Sequence, residues 1–223
     1  TSTTGAFNAD LTGVRDTGTY VGTYSLTSVD GKDITLSSQV GGKIANADLK
    51  AGTYQANVAQ FVTGYRTPGA ITSGAAAAPT ALSATSLSLN GIAIGAALST
   101  DDTATFETTT SATKASSAIA TAAAINRVKD LTGVTAKANA NVLVGTGFST
   151  STLVSKVFMN GVSFSVNVTS DTTRADLVNT FNLYTGQTGV VASDNGDGLT
   201  LVAADGRTIS CLLYTSDAAD DTP

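Results

Sequence analysis

The sequence predicts an α+β fold: mainly antiparallel β hairpins with one short helix per repeat, in two or three small repeat modules. Three observations point there. Apolar residues alternate on either side of Asn90-Gly91 and again of Asn160-Gly161, and Asn-Gly accepts the positive φ that a tight hairpin turn demands. Each pair is followed by a stretch of helical spacing, a Thr-Gly-Val triplet and a return to period two. Finally, residues 26–34, with Asp30-Gly31, lie without a gap over residues 201–209, with Asp205-Gly206, and a Thr-Gly-Val precedes each.

Taken in order, Tyr20, Tyr24 and Leu26, then Asp30-Gly31, then Ile34 and Leu36 read as a hairpin. Its likeness to 201–209 implies that the chain opens inside an earlier copy, so that residues 1–67 hold the end of an upstream repeat plus connecting strands at 52–58 and 61–63. Residues 68–85, rich in Pro, Gly, Ala, Ser and Thr, read as a linker.

A first full repeat is expected over 86–148. Its hairpin turns at Asn90-Gly91, and its helix spans 114–128, where Ala115, Ala118, Ile119, Ala122 and Ile125 keep helical spacing. A second is expected over 153–210. There Val157, Met159, Val162, Phe164, Val166 and Val168 alternate about Asn160-Gly161, and Leu177, Val178, Phe181 and Tyr184 share a helical face. Thr173 followed three residues later by Asp176 suits a capping box. Val190, Ala192, Leu199, Leu201 and Ala203 then flank a polar turn at 194–198.

The two copies agree in register at the helix end: Asn126 precedes Gly133 by seven positions, as Asn182 precedes Gly189. They disagree before it. Asn90 lies 36 residues before Asn126, whereas Asn160 lies 22 before Asn182. The extra residues fall in the polar 99–111 stretch, read as a solvated loop that includes Asp101-Asp102, since a loop is where an insertion costs least. After 135–138 the first copy lacks an Asp-Gly turn, which leaves its closing hairpin open.

At 223 residues the chain is long enough for more than one core, and with 42% hydrophobic but only 6% aromatic residues those cores are expected to be small and aliphatic. Charge is sparse, 13% with a net of −5, and unblocked, so neither a nucleic-acid partner nor a polybasic membrane contact is expected. No apolar run approaches a membrane span. The single cysteine, Cys211, rules out an intrachain disulfide.

With no His in the sequence, Ser-His-Asp and Cys-His catalysis and His-rich zinc sites are excluded. Ser155 and Lys156, adjacent on a strand, point to opposite faces. Asp194, Asn195 and Asp197 lack the alternating ligands and closing Glu of a calcium loop and read as a turn. Gly41-Gly42-Lys43 lacks phosphate-loop spacing. Asn167-Val168-Thr169 fits an N-glycosylation pattern but falls within a strand, and the Ser/Thr runs at 108–111 and 149–152 read as plain loops. No catalytic residue, cofactor or metal is expected.

These residues resemble the repeat in the variable middle region of bacterial flagellins and hook-associated proteins, the flagellin hook IN motif. Its marks are Asn90-Gly91 and Asn160-Gly161, the helix-ending Asn126 and Asn182, the triplets holding Gly133 and Gly189, and the turns Asp30-Gly31 and Asp205-Gly206. The resemblance implies a structural, non-enzymatic role in motility: the outward-facing part of a filament subunit, extracellular, whose partners are other flagellin subunits bound through terminal coiled-coil helices absent from this stretch. Alone, such a fragment is expected to be a monomer with no nucleic-acid or membrane partner. A hook-associated or filament-cap protein is the near alternative. An adhesin for glycan or host protein, with Tyr65 and Phe148 as loop aromatics, is the alternative of another class. From Cys211 to Asp220 the chain is similar to a translated sequencing adapter, which sets 211–223 apart as a non-native tail.

Overall fold

In a computed structural model of the chain the described residues are 18–55, 80–107, 114–145, 153–169 and 171–215. Their strands are β1 (Gly18–Tyr20), β2 (Tyr24–Ser28), β3 (Ile34–Ser37), β4 (Gly52–Tyr54), β5 (Ser88–Leu89), β6 (Ile92–Ala93), β7 (Val134–Ala138), β8 (Asn141–Val144), β9 (Leu153–Met159), β10 (Val162–Val168), β11 (Val191–Asp194), β12 (Leu199–Ala203) and β13 (Ile209–Thr215). Between them lie α1 (Ala118–Asn126), α2 (Lys129–Thr132), α3 (Arg174–Asn182) and α4 (Thr185–Thr188). The class is α+β with antiparallel sheets, in orders β1-β13-β9-β10, β11-β12-β8, β2-β7 and β4-β3-β5-β6.

Two hydrophobic cores divide these elements. One gathers Tyr24, Leu26, Leu36, Leu82, Leu89, Ile94, Ile125 and Val134. The other gathers Tyr20, Val157, Met159, Phe164, Val166, Leu177, Phe181, Leu201, Ile209 and Cys211, with Phe164 edge-on to Phe181 and stacked on Tyr184. Burial of such apolar side chains is the main term holding each unit together.

The units share one plan. In each, a hairpin turns on an Asn-Gly step, Asn90 (φ 50) with Gly91 (φ 82) and Asn160 (φ 46) with Gly161 (φ 87). Positive φ at both central residues gives the twist that antiparallel strands need. In each, the first hairpin strand pairs on its other side with a strand following an Asp-Gly turn, Leu36 opposite Leu89 and Cys211 opposite Met159. That strand in turn pairs with an edge strand reading Gly-Thr-Tyr, β4 on β3 and β1 on β13, Ile34 facing Tyr54 as Ile209 faces Tyr20. In each, the strand after the helices pairs with the strand before the Asp-Gly turn, Leu26 opposite Ala136 and Leu201 opposite Ala192.

The chain order differs. The second unit draws its frame from residues 153–215, apart from the edge strand β1, which comes from residues 18–20. The first takes β2, β3 and β4 from residues 24–54 and the rest from residues 82–138, so its closing segment precedes its opening hairpin. Residues 24–37 thus supply the closing piece that is missing after residue 138. The boundaries shift too. Asn141–Val144 pair with β12 and belong to the second unit, and Leu82, inside the stretch read as linker, is 1% exposed in the first core. Residues 56–79 lie outside the described set.

Two further expectations change. Neither Asp-Gly turn closes a hairpin: β2 and β3 sit in different sheets, as do β12 and β13, so each turn carries the chain from one sheet to another. Strand β13 also runs on through Cys211 to Thr215 with β9 as partner, although the sequence reading breaks off there; Cys211 is 4% exposed, in the place Leu36 takes in the first unit.

Helix α3 begins as expected. The Thr173 hydroxyl accepts from Asp176 N (3.3 Å) and the Asp176 carboxylate accepts from Thr173 N (2.8 Å); the bond from the Thr173 hydroxyl to the carboxylate (2.6 Å), followed by that from Thr173 N, holds the Asp176 carboxyl below its usual value. Helix α1 is shorter than the 114–128 expected, with a 3-10 turn over Lys114–Ser116 before it, and Ser117 caps it by accepting from Ala120 N (3.0 Å). It is buried on Ala118, Ala120, Thr121, Ala122, Ala124 and Ile125, more than one face. The turn at Ser99–Asp101 also packs on it, and small Ala side chains permit close approach.

Candidate functional site

The sequence-predicted residues come together as one hydrogen-bonded frame per unit. In the first, Asn90 Oδ1 accepts from Thr35 N (2.8 Å) and Nδ2 donates to Thr132 O (2.8 Å). In the second, Asn160 Oδ1 accepts from Ser210 N (2.8 Å) and Nδ2 donates to Thr188 O (2.8 Å). One side-chain amide thus ties the hairpin to the strand beyond the Asp-Gly turn and to the end of the second helix. A primary amide suits this because it offers an acceptor and a donor from one planar group.

The helix-ending asparagines make a second tie. Asn126 Oδ1 accepts from Ala136 N and Nδ2 donates to Ala136 O, both at 2.8 Å. Asn182 does the same to Ala192, at 2.8 and 2.9 Å. Each side chain pairs with one strand residue as a neighbouring strand would, satisfying the main-chain N–H and C=O of Ala136 on β7 and Ala192 on β11.

Gly133 (φ 67) and Gly189 (φ 70) end α2 and α4 in the left-handed region, donating to Lys129 O and Thr185 O at 2.8 Å, the glycine helix stop. A Cβ at Gly189 would overlap the Arg207 guanidinium, and one at Gly133 would meet the Asp30 carboxylate at 3.4 Å. Gly31 (φ 67) and Gly206 (φ 79) turn the sheet-to-sheet corners. Asp30 pairs with Lys32 (2.7 Å), which holds its carboxyl below the usual value. Burial pushes the Asp205 carboxyl up, but the bonds from Arg207 outweigh it.

Sequence reasoning missed two components. The first is the threonine of each Thr-Gly-Val. Thr132 Oγ1 donates to Val128 O (3.1 Å) and accepts from Val134 N (3.2 Å), and Thr188 does likewise to Tyr184 O (3.0 Å) and from Val190 N (3.2 Å). Recurrence of the triplet was the signal. The second is Asp102, read as solvated but only 1% exposed. Its Oδ1 accepts from Ala104 N (2.8 Å) and Thr105 N (2.9 Å), an Asx-type turn. Burial pushes its carboxyl up, and the hydroxyls of Ser117 and Thr105 with the two amides outweigh that and hold it low.

The remaining candidates are tied up in structure. Asp194 bonds Arg174 (2.8 Å) and Gly196 N (2.8 Å), the latter chiefly lowering its carboxyl. Asn195 Oδ1 accepts from Asp197 N (3.0 Å) and Gly198 N (2.6 Å), and its Nδ2 donates to Gly145 O (2.8 Å). Lys156 is exposed on β9 and Asn167 on β10. Residues 108–111 and 149–152, Tyr65 and Phe148 lie outside the described residues. Among the described residues no group of His, Cys, Asp and Glu is placed to hold a metal ion, and no helix is long and apolar enough to cross a membrane. The amides of Asn90, Asn126, Asn160 and Asn182 all bond backbone.

Comparison with protein-family models, curated proteins and solved structures finds no match to this chain.

Proposed function

We propose that this chain is a structural, non-enzymatic piece of a flagellar filament subunit, the outward-facing middle region of a bacterial flagellin. One observation carries the reading: the residues that make the sequence resemble the IN motif are the residues of the repeated frame. Asn90, Asn126, Gly133 and Asp30 on one side, and Asn160, Asn182, Gly189 and Asp205 on the other, hold equivalent places. A motif arising by chance has no reason to assemble twice around one hydrogen-bond pattern.

On this reading the units are small braced bodies displayed outside the cell. The subunit's partners are other copies of itself, engaged through terminal helices that are not in this stretch. Its mechanism is interfacial: frames whose polar groups are spent internally leave exposed positions to vary without loss of fold.

The test is to read the source DNA through both ends of this stretch with long reads. Flanks encoding long heptad-patterned helices are expected, with or without the continuation from Cys211 replaced. Flanks of hook-associated or cap type would keep the structural class and change the location. Further repeats ending in a surface anchor would overturn the reading in favour of an adhesin.

A further inference from the structure

The 14-residue excess between hairpin and helix exists in the first unit alone, and part of it reaches the second unit. Its base is pinned at home: Arg127 bonds Asp101 (3.0 Å) and Ala96 O (2.8 Å), and Asp101 accepts from Leu98 N (3.1 Å). Asp102 then folds the chain back through Ala104 N and Thr105 N. Beyond that turn the arm leaves its own unit. Thr105 Oγ1 accepts from Thr208 N of the second unit in a buried bond of 3.1 Å. The next residue, Phe106, lays its ring on Gly161, where a Cβ would overlap it, and stands edge-on to Phe158 at 6.1 Å and 69°.

The socket is specific to the second unit. At the equivalent turn Gly91 has nothing among the described residues within 4 Å of where a Cβ would be, and Ser88 occupies the register position that Phe158 holds. The aromatic partner and the arm that meets it thus lie on different units. Phe106 is not among the side chains that make up or pack against the first core.

We infer that residues 99–107 form a latch that couples the two units, so that they open and unfold together. Edge-on aromatic contact and a buried bond from the Thr208 amide to the Thr105 hydroxyl add this arm's coupling to the direct approach of the units at Gly206, Ala138 and Asn139. The proposal is independent of the flagellin reading.

Cys211 makes the test direct, since it is the only cysteine in the sequence and is buried in the second core. Its labelling by excess thiol reagent under increasing denaturant reports opening of the second unit. Amide hydrogen exchange in β2 and β7 reports the first. In the wild-type chain the two are expected to share one denaturant dependence. Phe106→Ala should separate them, with Cys211 labelled on the order of tenfold faster, and Phe158→Ala should give the same separation from the socket side. Phe106→Leu, which keeps an apolar contact but removes the edge-on ring, should restore coincidence only in part. Thr105→Val is the milder second arm, predicting partial separation without loss of volume. Wild-type transitions that already differ, or transitions that stay coincident in Phe106→Ala, Phe158→Ala and Thr105→Val, overturn the latch.

Discussion

The second unit takes all of its frame but the edge strand β1 from one run of chain, and the first splits the same frame between two pieces, with its closing segment ahead of its opening hairpin. The registers are nevertheless the same at every shared pairing. Chain order is therefore not what specifies the unit. What specifies it is where the asparagine amides and the positive-φ residues fall once the strands meet, because these fix register where hydrophobic alternation alone permits a slip of two. The units differ in how deeply this frame is buried. Asn160 is 8% exposed, whereas Asn90 is open to solvent.

That difference sets the largest expected effect. Asn160→Ala strands Ser210 N and Thr188 O in a buried setting and forces a positive φ on a side chain with no local bond, so it should cost about 3–5 kcal/mol. Asn90→Ala loses the same two bonds where water can replace them, so about 1–2 kcal/mol is expected. Urea unfolding of both variants decides it, and equal losses would mean that burial does not separate the frames. Next come the neighbouring glycines. Gly161→Ala must displace the Phe106 ring as well as strain the turn, roughly 2–3 kcal/mol, against about 1 kcal/mol for Gly91→Ala in open space. A Gly91→Ala loss matching that of Gly161→Ala would show that strain, not the ring, sets the cost.

A smaller effect belongs to the caps. Thr173→Ala should remove about 1 kcal/mol, visible as a lowered melting temperature; an unchanged melt would mean that α3 is held by packing alone. The smallest concerns acid. Asp102 is held below the ordinary carboxylate value of 3.8, so through that range the unfolded chain binds more protons than the folded one. The stability it supplies is complete above that value and is lost as pH falls through the lower folded one. Asp102→Asn should make the acid limb of a stability-against-pH curve shallower. It should not flatten it, because Asp30, Asp176, Asp194 and Asp205 are shifted the same way. An acid limb as steep as the wild type's would remove Asp102 from that group.

Much of the frame was legible because its signals are local. Asn-Gly turns, the Thr173–Asp176 box and the spacing from Asn126 to Gly133 are fixed by φ, capping and helix geometry within a few residues. Partner choice was not, since strand pairing is set between distant segments. Asp30-Gly31 has the chemistry of a hairpin turn, but turn chemistry bends a chain without saying which strand it will meet. The two Gly-Thr-Tyr edge strands are identical in sequence and equivalent in place, yet three residues are too short a repeat to stand out. Asp102 was misread because an acidic residue in a polar stretch is usually solvated; only the amides folded over it show otherwise.

Asn-Gly is also the step at which a polypeptide ages fastest. The glycine N–H attacks the preceding side-chain amide, ammonia leaves, and the resulting ring opens with water to aspartate or isoaspartate. That reaction needs an amide free to swing back onto the chain. Here the amides of Asn90, Asn160 and Asn195 are each held by both oxygen and nitrogen. The bonds that set the register therefore also act as a preservative, and peptide mapping of a long-incubated folded sample should find these three positions intact while the denatured chain has turned to isoaspartate.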